Sequence, residues 1–109
     1  MAIEAGVQVL VDINAGVAAD ADAAVAADAN LRLMGLGWRE SHGTPAAAAF
    51  NVVNGATGAA DGKVFPVEVA ANASSWAWFG PQGIPCPLGI SIDWIAGLVD
   101  VYLYYAIVG

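Results

Sequence analysis

The 109-residue chain is 59% hydrophobic and only 12% charged, roughly half the charged share of an ordinary soluble domain. Ten carboxylates against three cations give a net charge of −7; no basic patch is left for a phosphate backbone, which excludes nucleic acid as a partner. The longest charge-free run, Val69 to Ile92, contains Pro81, Pro85 and Pro87, so no transmembrane helix and no membrane partner is expected.

The length suits one domain over residues 1–109 with a real core. Too few charges are available to cover its surface, so contacts with copies of itself or with another protein are expected. A homo-oligomer follows, with a trimer favoured. The start Met1-Ala2-Ile3-Glu4 lacks the basic opening and apolar block of a secretory signal. A lone cysteine, Cys86, rules out an internal disulfide.

In chain order, Val7, Val9, Val11 and Ile13 alternate with Gln8, Leu10 and Asp12, which predicts a strand with one apolar face. Residues 15–30 form a low-complexity Ala/Asp segment. It has the composition of a weak helix without an apolar stripe, and it reads as a loop or loosely held arm with room for one short strand. Leu31 to Glu40 is apolar on both sides, which predicts a central strand with glycines for close approach or a bulge. Ala46 to Val53 and Lys63 to Ala71 are the next strands, and Pro66, which cannot donate to a ladder, puts the second of these at a sheet edge. Ser75 to Phe79 is a further strand, closed by Gly80-Pro81-Gln82-Gly83.

The last two runs, Ile90 to Ile95 and Leu98 to Tyr105, are separated by Ala96-Gly97 and read as a β-hairpin. Its apolar face would carry Ile90, Ile92, Trp94, Val99, Val101, Leu103 and Tyr105. The same register sets Asp93 directly opposite Asp100, a repulsion of up to about 1 kcal/mol. Relief could come from Arg39, from a bound divalent cation, or from both carboxylates pointing into water. Seven to eight strands with turn signals between them predict an all-β, antiparallel β-sandwich of jelly-roll type.

No constellation carries catalysis. Glu40, Ser41 and His42 are neighbours in sequence, and adjacent side chains on extended chain point apart, so they make no triad. Cys86 lies between Pro85 and Pro87 with no histidine beside it and reads as a half-buried loop cysteine. Asp20, Asp22 and Asp28 lack the pattern of a calcium loop and read as a solvated acidic segment. No catalytic, cofactor-binding or metal-ligating residue is assigned, and no cofactor is expected. The aromatics are the exception: Trp76, Trp78, Tyr102 and Tyr104 are either core or a subunit interface, and they are the candidate interface residues.

Leu31-Arg-Leu-Met-Gly-Leu-Gly-Trp-Arg-Glu-Ser41, Gly43-Thr-Pro-Ala-Ala47, Trp78-Phe-Gly-Pro-Gln-Gly-Ile84 and the closing Val101-Tyr-Leu-Tyr-Tyr105 together resemble small β-sandwich virion structural proteins of tailed bacteriophages. These are turn and packing motifs, so they imply kinship and not an activity. The resemblance implies a non-enzymatic capsid decoration or minor head protein, located on the capsid surface of the virion, with the major capsid protein as partner. The alternative is a tail- or fibre-associated module that binds a host receptor or carbohydrate. A small hydrolase ranks far below both for want of a base and a nucleophile.

Overall fold

The computed structural model of the chain describes residues 3–13, 25–41, 43–55 and 62–108. Among these there are eight strands and no helix: β1 (Ile3–Ile13), β2 (Leu31–Glu40), β3 (Ala48–Asn54), β4 (Lys63–Val69), β5 (Ser74–Trp78), β6 (Ile84–Pro85), β7 (Ile90–Ala96) and β8 (Val99–Val108). The larger sheet, sheet A, has the order β1-β8-β2-β5, with β6 also pairing to β2; the smaller, sheet B, has the order β4-β3-β7. Every pairing is antiparallel.

The pairs are nested: β1 with β8, Val25 with Ile90 of β7, β2 with β5, and β3 with β4. A two-stranded ribbon folded over itself in this way is a jelly roll. The fold is thus an all-β antiparallel sandwich, with Val25 held to Ile90 by an isolated antiparallel bridge. Most of the Ala/Asp segment lies outside the described residues, as does His42.

Alternation builds the core. Leu33, Leu36, Val101 and Leu103 of sheet A meet Phe50, Val52, Ile90 and Ile92 of sheet B, all at 0–1% exposure. Each such side chain contributes about 1.5–3 kcal/mol by leaving water, against the entropy of ordering it. At one end the rings of Phe65 and Phe79 meet edge to face, 5.1 Å apart at 65°. The predicted central strand β2 is flanked by β8 on one side and by β5 and β6 on the other, and Pro66 lies on the edge strand β4.

The predicted hairpin is corrected. β7 and β8 belong to different sheets, so β7 pairs with β3, Trp94 against Phe50 and Ile92 against Val52. The inward faces are those that alternation predicts, since Ile90, Ile92, Val99, Val101 and Leu103 are all buried. They face one another across the core instead of lying side by side. The physical reason is that a strand has two edges, and both edges of β8 are taken by β1 and β2.

The crossing between the sheets runs through Gly97 and Leu98. Gly97 has φ +80°, and a Cβ there would come within 2.6 Å of the Ala48 Cβ and 2.7 Å of the Ala47 carbonyl oxygen. The Trp94 indole Nε1 donates to the Gly97 carbonyl at 2.8 Å, and the Ser41 amide donates to the Leu98 carbonyl at 3.0 Å. The crossing is thereby tied to β7 and to the end of β2.

Asp93 and Asp100 are therefore not neighbours. Asp100 stands opposite Arg39 across β8 and β2, with Arg39 Nη2 2.8 Å from Asp100 Oδ2. Asp93 stands opposite Asn51 in sheet B and accepts from its Nδ2 at 3.1 Å. Arg39 does bind one of the two carboxylates, but not to relieve a clash between them.

Candidate functional site

Cross-strand register assembles one surface on the outer side of sheet A. Val7 of β1 pairs with Tyr104 of β8, Tyr104 with Gly35 of β2, and Gly35 with Trp78 of β5. One rung further along, Val9, Tyr102, Gly37 and Trp76 follow in the same order. Residues directly opposite on antiparallel strands share a face, so the four candidate aromatics lie on one side of one sheet.

The interior of sheet A sets this orientation. Val101 and Leu103 point inward at 0% exposure, so Tyr102 and Tyr104 must point out. On β2, the register shifts between Leu33 and Gly35, leaving Met34 as the extra residue of a bulge. Beyond it Leu36 faces the core while Gly35 and Gly37 face out.

The two glycines form the floor beneath the aromatic rings. A Cβ on Gly35 would come within 2.9 Å of Trp78 Cε3, so this indole lies across the glycine. The platform is exposed: Trp76 is 73% accessible, Trp78 58% and Tyr104 40%, while Tyr102 is half-buried. Val7 at 50% and Val9 at 45% widen it on the β1 side. Such side chains lie in the open only where a monomer's surface is spare or where something covers them.

Beside the aromatics runs a shallow apolar groove of about 450 Å³ lined by Ala5, Val7, Met34, Trp78, Tyr104 and Ala106 among others. A smaller one, of about 190 Å³, opens between Trp76, Trp78 and Tyr104. Both are open and almost without polar groups, so neither has the convergent donors and acceptors that orient a small polar ligand.

Among the described residues, charge lies at the ends of the face. Arg32 sits at one end, its Nη1 donating to the Gln82 carbonyl at 3.0 Å, and the Arg39–Asp100 pair sits at the other. Two of the three cations of this acidic chain thus lie on the aromatic side. The outer side of sheet B differs, with Glu68, Asn51 and Asp93 on neighbouring strands. An alanine-lined hollow of about 530 Å³ lies at its end.

The remaining reactive groups have structural settings. Cys86 is fully buried, not half-buried as expected from its flanking prolines, and its amide donates to the Leu31 carbonyl at 2.9 Å. Burial pushes its thiol up from 9.0 to about 11, which removes it as a nucleophile at neutral pH. Glu40, 7% exposed, accepts from the amides of Ala46 at 3.2 Å and Asn72 at 3.0 Å and so pins two loops. Asp28 accepts from the Asn30 amide within a turn, and Asp20 and Asp22 lie outside the described residues.

The sequence singles out the four aromatics as candidate interface residues, and the register adds to their face the valines Val7 and Val9 and the glycines Gly35 and Gly37. The signal was present in two places. Gly35 and Gly37 alternate on a strand where close approach was expected, and the apolar face of β1 could be turned either way. No family model, no curated protein and no solved structure matches the chain.

Proposed function

We propose that the chain is a non-enzymatic structural protein of a phage particle, a capsid decoration or minor head protein that assembles as a homo-oligomer and reinforces the capsid exterior. The observation that carries this reading is the exposed aromatic face of sheet A, broad and, among the described residues, charged only at its ends. The sequence motifs quoted above support the virion setting. The jelly roll is compatible with it, since capsid and lectin domains both use this wrapping, but a fold alone does not assign a function. Reinforcement would work by mass action, because a subunit that binds only the assembled lattice stabilises that lattice.

The test is the protein's place in purified particles. Head decoration requires many copies, separable from tails, on the major capsid protein. Heads lacking the protein should fall apart at a lower temperature than complete ones. Heads of unchanged stability, or absence of the protein from particles, would reject the reading.

The second reading, a tail or fibre module binding a receptor or carbohydrate, is favoured by the exposed indoles of Trp76 and Trp78 on an edge strand. It requires a few copies near the tail tip and a change in tryptophan emission on titration with host surface glycans.

A further inference from the structure

The aromatic face of sheet A leaves Trp76, Trp78 and Tyr104 exposed together. We infer that its occupant is the same face of a second copy, the two related by a two-fold axis that passes near Tyr104. The inference rests on the reading of the chain as an assembling structural protein and names what covers this face.

Area supports this occupant. At 73%, 58% and 40% exposure, Trp76, Trp78 and Tyr104 present about 350–400 Å² per copy, taking full side-chain areas of ~200–250 Å². Two copies would bury about twice that from the rings alone. Val7 and Val9, each about half exposed, bring the total to about 1,000 Å² when the whole face is covered, the lower bound for a specific interface.

Shape and charge agree. Trp78 lies over Gly35 and the grooves beside it are shallow, so the face can stack on another sheet, as sheets do about 10 Å apart face to face. The two central rungs carry no charge, so pairing leaves no unpaired ion buried. The chain as a whole carries a net charge of −7, so copies that approach without an apolar contact repel one another. A self-complementary patch closes as an isologous pair. The unit in solution is then a dimer, in place of the trimer favoured from composition.

The experiment uses the full chain. Sedimentation at micromolar concentration should give a dimer, and Trp76→Arg should weaken self-association by roughly 30-fold or more, as for loss of a hot-spot tryptophan. Val9→Lys should act in the same direction from the other side of the face. Leu88→Lys and Ile95→Lys, at exposed apolar positions of 61% and 52% off this face, should leave the dimer intact. Circular dichroism checks that each variant is folded.

A single cysteine then tests the symmetry. Tyr104→Cys should oxidise to a covalent dimer, while Ile95→Cys should not, with the buried Cys86 silent in both. A monomer at tens of micromolar, a dimer indifferent to Trp76→Arg, a trimer, or a face protected only by added capsid protein would each overturn the inference. Presence on particles is a separate readout: a dimer absent from heads rejects the virion reading alone, and a monomer found on heads rejects the inference alone.

Discussion

Trp78 lies across Gly35, with the indole Cε3 2.9 Å from where a glycine Cβ would be, and the Ala77 carbonyl oxygen is 3.1 Å from the same point. Its counterpart Gly37 is less crowded, with Tyr102 Cβ at 3.7 Å, ordinary contact distance. Gly35→Ala should therefore cost about 1–2 kcal/mol by forcing the ring and a backbone carbonyl apart. Gly37→Ala should be neutral or gain up to about 1 kcal/mol, since alanine has less chain entropy to lose. Chemical denaturation of the two variants compares them directly, and equal losses would show that the ring does not rest on Gly35.

A second pair of glycines separates backbone strain from crowding. Gly97 and Gly80 both have positive φ, +80° and +85°, but Gly80 has nothing within 4 Å of its Cβ position, whereas Gly97 abuts Ala47 and Ala48. Gly80→Ala should cost only the left-handed penalty of about 1–2 kcal/mol. Gly97→Ala adds a clash where the chain crosses between sheets and should cost roughly 1–3 kcal/mol more. Thermal melts that rank them in the reverse order would place the crossing elsewhere.

The Arg39–Asp100 pair is lopsided, with the arginine side chain 63% exposed and the aspartate 5%. Exposure of one partner screens the attraction. The greater loss comes from taking the guanidinium away from a buried carboxylate, so Arg39→Ala should cost about 1–3 kcal/mol. Arg39→Lys should recover part of this, since it restores charge but not the planar donor. A melting temperature unchanged in Arg39→Ala would mean that the carboxylate is satisfied by its other contacts.

Cys86 supplies a pH dependence with a definite sign. The folded thiol titrates at about 11 against an ordinary 9.0, so between these values the folded chain holds a proton that the unfolded chain has lost. Its contribution is complete below pH 9 and disappears as the pH rises to about 11, with a total of about 2–3 kcal/mol at most. Cys86→Ser should flatten that part of the stability profile. Native protein at pH 8 should react with a thiol reagent only as fast as it opens, and rapid labelling would contradict the burial.

Which side of each strand faces the core could be read from alternation, because side chains change sides at every residue. That is why the sequence alone places Ile90 and Ile92, and Val99, Val101 and Leu103, inward, where all five are buried. Pro66 marked an edge because it lacks a donor, and β2 read as central because both its sides were apolar. Alternation says nothing about which strand lies alongside. Ile90 to Ile95 and Leu98 to Tyr105 bury the same faces whether they pair as a hairpin or face each other from opposite sheets, at similar gain per side chain. The choice was made by β1 and β2, which occupy both edges of β8, and by Gly97, whose conformation lets the chain cross over. The surface on sheet A is a tertiary product for the same reason. Val7, Gly35, Trp78 and Tyr104 are far apart in the chain and become one rung only through register, which is set by backbone hydrogen bonds between strands and not by the pattern within any one of them.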